Sequence, residues 1–272
     1  MSRGRDLEER EVPDVREHEA PRIIEREYIV YQGRAEEQGN APEFIPTPDP
    51  RDEMGTRSHR LETLEEIGKF RLIPLEDLER YRFKGDSEQM NHDLRNFSKD
   101  GLIRRHTAVT PRGEKLRVVT LTEAGKSRVE RKLPPGQRVY ADLKRAEIFH
   151  DAAIYRMYQA ESERIRAAGG RVKRVVLECE LVKTVYSELH LARETLPEDY
   201  RLSQEEVARE HGLKVIDGKI PFPDLRIEYE TRDQQMEKVD LELATGNYRR
   251  FQLIEKARAG FHVYIPPKSL PL

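Results

Sequence analysis

The sequence predicts a mixed α/β protein, α+β overall, built as a small basic unit and a larger alternating unit behind an acidic arm. Three observations carry that expectation. Between residues 57 and 133, helical periodicity gives way to two strand patterns around a turn. From residue 137 to 272, helical and strand patterns alternate, as in an α/β unit. Charge is also segregated: residues 1–56 hold 8 basic and 15 acidic side chains, residues 57–145 hold 21 and 14, and residues 146–272 hold 20 and 22. A formal net charge of -2 therefore hides a basic middle of +7 against an arm of -7. Phosphate responds to the local field, so the basic middle points to nucleic acid more than the total does.

At 272 residues there is room for two domains and an arm, on a scale of roughly 100–200 residues per domain. Charged residues make up 37% and the mean hydropathy is -0.82, so any core is assembled from short apolar stripes. No run approaches the ~20 consecutive apolar residues of a membrane span. The opening Met1-Ser2-Arg3-Gly4-Arg5-Asp6 has no apolar stretch behind its charges, unlike a secretory signal. The single cysteine, Cys179, excludes an internal disulfide framework and any multi-cysteine zinc site. It follows Val175-Val176-Leu177-Glu178 and reads as structural. The expected compartment is the cytoplasm, with no membrane partner.

The arm, residues 1–56, is rich in Glu, Arg and Pro. Pro42, Pro46, Pro48 and Pro50 forbid a helix near its end and favour extended polyproline-like backbone. Ile23, Ile24, Tyr28, Ile29, Val30 and Tyr31 can dock as one short strand or helix; the rest reads as extended or disordered.

In the basic unit, Leu61, Leu64, Ile67 and Phe70 give a first helical stripe. Pro74 suits the first position of a short second helix carrying Leu75, Leu78 and Tyr81 on one face. Asp86 reads as the N-cap of a third helix, with Gln89 in capping-box position and Gly101 as the stop. Met90, Leu94 and Phe97 form its buried face, leaving Asn91, His92, Arg95, Asn96 and Lys99 outside. Leu102–Val109 and Leu116–Leu121 then read as antiparallel strands around Thr110-Pro111-Arg112-Gly113-Glu114-Lys115, with Thr122 capping a further helix.

In the larger unit, a helix over about 140–168 closes at Gly169-Gly170 and a strand begins at Arg171. Helices follow at 180–196 and at 203–211, the second opening on Ser203 and Glu206 as a capping box. Strand patterns occupy Val215–Pro221, Asp224–Tyr229 and Lys238–Leu243, followed by a helix near 246–259 and a strand at Phe261–Ile265. Because strand side chains alternate, Lys238, Asp240 and Glu242 share one face and Val239, Leu241 and Leu243 the other. Three charges on one face are ordinary on a solvated edge. Beside the Pro223-Asp224 strand they also suit a hard cation such as Mg²⁺, held by Asp224, Asp240 and Glu242.

The three helices, hairpin and Leu121-Thr122-Glu123-Ala124-Gly125 piece resemble winged-helix domains. That resemblance implies a grip on double-stranded DNA, with Asn91, His92, Arg95, Asn96 and Lys99 at the major groove and Arg104, Arg105, Arg112, Lys115 and Arg117 on the hairpin near the backbone. Some winged helices bind only protein, and Asp86, Glu88 and Asp93 dilute the charge of the third helix, so an adaptor role stays open. The Pro223-Asp224 strand and acidic strand resemble the PD-(D/E)XK nuclease-like fold. Here the expected lysine is missing, since Ala244 stands two residues after Glu242; Lys238 or Lys256 would replace it.

The order of Leu121-Thr122-Glu123-Ala124-Gly125, His150, Phe222-Pro223-Asp224-Leu225 and Asp240-Leu241-Glu242-Leu243-Ala244-Thr245 is similar to the replication-relaxation family over residues 57–265. The resemblance implies a role in plasmid or mobile-element replication, relaxation or mobilisation, with replication or mobilisation proteins as partners; the winged-helix resemblance, with paired half-sites, and the 140–168 helix leave room for a homodimer. It leaves open a metal-dependent endonuclease using Asp224, Asp240, Glu242 and Lys238 or Lys256, or an inactive nuclease-like scaffold. Phosphate-cradling glycine loops, zinc-protease helices and nucleophile elbows are absent from the sequence.

Overall fold

The computed structural model describes residues 31–32, 59–109, 113–133, 136–195, 200–244 and 250–265. Of the arm it describes only a two-residue strand, β1 (Tyr31–Gln32). The expectations for the rest of the arm and for Thr110, Pro111 and Arg112 at the hairpin tip lie outside the described residues.

The basic unit runs α1 (His59–Gly68), β2 (Ile73–Pro74), α2 (Leu75–Tyr81), α3 (Ser87–Lys99), β3 (Ile103–Val109), β4 (Lys115–Leu121) and α4 (Glu123–Glu130). Its sheet has the order β2-β4-β3, antiparallel throughout. Three helices closed by a hairpin, with a short strand after the first helix pairing back onto that hairpin, make a winged helix. Local chemistry sets the element ends. Asp86 Oδ1 accepts from the Gln89 amide at 2.9 Å and starts α3, and Gly101, at φ 69°, stops it. The Thr122 hydroxyl accepts from the Gly125 amide at 3.1 Å and donates to the Gly101 carbonyl at 2.6 Å, fastening α4 to the turn after α3. Only glycine fits at 125: a Cβ there would stand 2.1 Å from the Leu102 carbonyl oxygen.

A 3₁₀ turn at Arg145–Glu147 leads into the larger unit: α5 (Ile148–Ala167), β5 (Arg171–Leu177), α6 (Glu178–Thr195), α7 (Tyr200–Glu210), β6 (Leu225–Glu230), β7 (Met236–Leu243), α8 (Arg250–Ala259) and β8 (His262–Ile265). The sheet order is β1-β8-β7-β6-β5. Strands β5, β6 and β7 pair antiparallel, β8 runs parallel to β7, and β1 parallel to β8. Helix α5 packs on one face, where Leu225, Ile227, Val239, Leu241 and Leu243 point. Apolar residues of α6 and α7 cover the opposite face with Val176, Phe222, Ala259 and Phe261.

One core runs through both units. Phe70 of the winged helix meets Tyr155 and Tyr158 of α5, each at 5.0 Å between ring centroids, and Arg156 of α5 donates to Asp77 of α2 at 2.6 Å. Helix α5 is therefore covered on both sides, which is why apolar residues surround it instead of forming one stripe.

Four expectations are corrected. The long helix begins at Ile148, not near 140: the preceding segment is a strap in which the Tyr140 amide donates to Gly68 O at 2.9 Å and its hydroxyl to Glu180 Oε2 at 3.0 Å. Ser203 is not an N-cap but a buried residue within α7. Val215–Pro221 is no strand, because Asp217 and Gly218, at φ 48° and 77°, turn the chain tightly between Ile216 and Lys219, which bridge each other. Pro74 precedes α2 and belongs to β2, an edge strand, where a missing N–H is tolerated.

Candidate nucleic-acid interface

Helix α3 separates its faces as its periodicity predicts. Met90, Leu94 and Phe97 are buried, Asn91, His92, Arg95 and Lys99 are exposed, and Asn96 is half-buried. The Asn96 side-chain amide lies 3.3 Å from His92 Nε2.

The hairpin register sorts the predicted wing cations. Arg105 pairs with Val119, Thr107 with Arg117 and Val109 with Lys115, so Arg105, Lys115 and Arg117 share one face. That face carries Val119 into the winged-helix core at its base and continues past the core as exposed wing. Arg104 is also exposed but alternates onto the other face with His106 and Ala108. There Ala108 and Leu116 pack with Leu143 and Ile148, and His106 Nε2 lies 3.1 Å from Thr120 Oγ1. Burial, then the charges of Arg104 and Arg145, pushes the His106 imidazole below its usual value. Among the described residues no carboxylate pairs with Arg95, Lys99, Arg105, Lys115 or Arg117, so these five stand ready for an outside anion.

A second polar constellation occupies a cleft of about 490 Å³ where the winged helix meets the larger unit, lined in part by Arg71, Lys144, His150, Asp151, Glu178 and Asp224. His150 Nε2 is 3.4 Å from Asp224 Oδ1, and His150 Nδ1 is 3.8 Å from Asp151 Oδ1. The facing carboxylates, Asp151 first and then Asp224, raise the imidazole to about 10 against the opposing pull of burial. Burial pushes Glu178 up, assisted by the Asp224 charge and countered by Lys256, His150 and Arg71. Cys179 lines the same cleft, beside Arg71.

The predicted metal ligands are not gathered around a common point. Asp240 is clasped by Arg226, whose Nε and Nη2 donate to its two oxygens at 2.6 and 2.8 Å. Glu242 is fully buried against Lys256 at 2.8 Å. Asp224 Oδ2 accepts from the Leu243 amide at 2.8 Å. Among the described residues no group of three or more His, Cys, Asp or Glu side chains is arranged to hold a metal ion. The set Asp224, Asp240 and Glu242 thus does not fit Mg²⁺, because its carboxylates do not converge and each is engaged by a cation or an amide of the chain itself. Of the two candidate lysines, Lys256 joins Glu242 and donates to Phe222 O at 2.8 Å, whereas Lys238 turns to His211 O at 3.1 Å. Burial, then the Arg226 charge, lowers Lys238. Arg71, Asp151 and Glu178 carried no sequence signal for the cleft, since they come from a loop and two helices far apart in the chain and meet only in the fold; His150 and Asp224, both in the motif order read from the sequence, were the hints.

No protein-family model matches the chain, and no curated protein matches it. Among solved structures it is similar to a protein described as a transcriptional regulator from Thermoplasma acidophilum, at 22% identity over 27% of this chain and 74% of that one, with a TM-score of 0.24. It is also similar to Bacillus subtilis PadR, solved in complex with operator DNA, at 17% identity over 56% of this chain and 78% of that one, with a TM-score of 0.24. The winged helix itself is defined by the helix and strand order of this chain.

Proposed function

We propose that the protein grips double-stranded DNA through its winged helix, with α3 in the major groove and the hairpin on the neighbouring backbone. One observation carries this reading: Asn91, Arg95 and Lys99 line the open face of α3, while Arg105, Lys115 and Arg117 share one exposed face of the wing. Asn and Arg side chains have the donor geometry for base edges, and unpaired lysines and arginines release counterions when they meet phosphates. The nearby Arg112 belongs to the same proposal from the sequence alone.

We place this binding in the replication, relaxation or mobilisation of a plasmid or other mobile element, on the strength of the motif order across residues 121–245. The larger unit serves as a nuclease-like scaffold that does not cut, since its acidic residues are committed to Arg226, Lys256 and His150. Function as a homodimer on paired half-sites, together with replication or mobilisation proteins, completes the proposal.

The test is duplex binding followed by anisotropy as salt is raised. About six phosphate contacts imply a loss of ~10³-fold in affinity between roughly 50 and 200 mM salt. An Arg95→Ala, Arg117→Ala double variant should bind at least ~10-fold more weakly, with a shallower salt slope. Unchanged affinity in that variant refutes the interface, and absence of any duplex binding turns the winged helix into a protein-docking module.

A further inference from the structure

The wing has a second face, and the larger unit brings a cation to it. Because β3 alternates, Arg104, His106 and Ala108 point away from Arg105. Across the ladder they stand opposite Thr120, Val118 and Leu116. Val118 is buried with Leu72, Ile148 and Ala152, and Ala108, Leu116 and Leu143 pack around that cluster. Leu143 and Ile148 bracket the 3₁₀ turn Arg145–Glu147, so the turn is held beside this face of the wing.

Two exposed guanidiniums therefore gather from two units, Arg104 from the hairpin and Arg145 from the turn. Both charges are felt at His106, whose imidazole is lowered by burial first and then by Arg104 and Arg145. The ring stays neutral at neutral pH and offers the two cations no opposite charge.

The carboxylates of the strap are engaged elsewhere. Glu147 is held by Arg71 and by Lys144, the latter at 3.1 Å, and Asp142 lies 3.7 Å from Arg71 Nε. Among the described residues no ion pair takes up Arg104 or Arg145. Like charges brought together repel, and an anion set beside both relieves the repulsion. The guanidinium fork matches the oxygens of a phosphate, and the buried cluster beneath the turn carries Arg145 on the same body as α3, with no unit to be ordered on binding.

Resting on the DNA-binding reading, we propose that Arg104 and Arg145 form a second phosphate contact, on the face of the wing opposite Arg105, Lys115 and Arg117. The duplex backbone then runs against the larger unit as well as against the winged helix. Phosphate on both faces of a hairpin is what a groove supplies, since its two walls are separate backbones. Arg145 gives the larger unit a part in holding DNA that needs neither a metal nor a cut strand.

The full chain is titrated against a mixed-sequence duplex over a range of salt, as wild type and as an Arg104→Gln, Arg145→Gln double variant. Two phosphate contacts account for about 2 in the log–log salt slope, so the variant's slope should be shallower by that amount. Its loss of affinity between roughly 50 and 200 mM salt should be about tenfold smaller than that of wild type. An Arg104→Lys, Arg145→Lys variant keeps both charges and should keep the slope. The control is Arg209→Gln with Arg258→Gln, which removes the same charge from α7 and α8, across the sheet from α5, and should leave the slope unchanged. A wild-type slope in the Arg104, Arg145 glutamine variant overturns the second contact, and so does an equal fall in the control, which would assign the effect to total charge. The Arg95→Ala, Arg117→Ala variant separates the two proposals. Weakened binding there with an unchanged glutamine variant overturns only the second contact, and the reverse pattern keeps it and overturns the interface on α3. Absence of duplex binding by wild type overturns both.

Discussion

Removal of the Asp240 carboxylate decides whether that residue is part of the architecture or part of a metal site. Arg226 is 4% exposed, and its guanidinium donates to both oxygens of Asp240 and, through Nη1, to the His211 carbonyl at 2.6 Å. Asp240→Ala leaves that guanidinium buried with one neutral acceptor, a change that costs about 3–5 kcal/mol when one partner of a buried pair is lost. For a protein of this size the unfolding midpoint should fall by about 2–4 °C per kcal/mol, or roughly 6–20 °C. Replacing both partners, as Arg226→Met with Asp240→Leu, should recover most of the loss, because no charge is left stranded. The chain has no tryptophan, so urea and thermal unfolding are best followed by far-UV circular dichroism. The shared core predicts that the winged helix and the larger unit unfold together, which licenses one free energy for the transition. An Asp240→Ala protein within about 0.5 kcal/mol of wild type, the range of ordinary surface changes, would refute a structural role for the pair. A more stable variant would point instead to a carboxylate held in place for a ligand.

Two further outcomes follow from the cleft. The His150 imidazole is raised to about 10, above the ~6.5 of an unfolded chain, so its pairing with Asp151 and Asp224 contributes fully below pH ~6.5 and is lost as pH rises through about 10. The fall in thermal midpoint between neutral pH and pH ~10.5 should therefore be smaller in His150→Gln than in wild type, and equal falls would remove the ion pair as the cause. Incubation of duplex DNA with Mg²⁺ or Mn²⁺ should leave both strands intact with wild type and with Asp224→Ala alike; cleavage by wild type that disappears in the variant would overturn the scaffold reading.

The elements that the sequence made legible are those whose causes are local. The Asp86 cap, the buried stripe of Met90, Leu94 and Phe97, the Gly101 stop and the Thr122 cap each depend on residues within a turn or two, and each stands where periodicity and capping chemistry place it. The alternation along β7 is local as well, so Lys238, Asp240 and Glu242 do share a face. The failures were also local choices, overruled from a distance. Residues 140–147 look helical by their apolar spacing, yet the Tyr140 amide takes the Gly68 carbonyl and its hydroxyl takes Glu180, one partner far before it in the chain and one far after. Ser203 and Glu206 spell a cap, but α7 begins earlier, and Ser203 is buried within it.

By itself the sequence determined the winged helix, the segregation of charge and the polar face that α3 leaves open, because helix caps, strand alternation and charge are properties of neighbours along the chain. Tertiary structure alone decided which acids keep company with which cations: Arg226 takes Asp240, Lys256 takes Glu242, and Asp224 is left to His150. Electrostatic pairing acts through space between side chains that strand register and helix packing bring within a few ångströms, and sequence separation carries almost none of that distance.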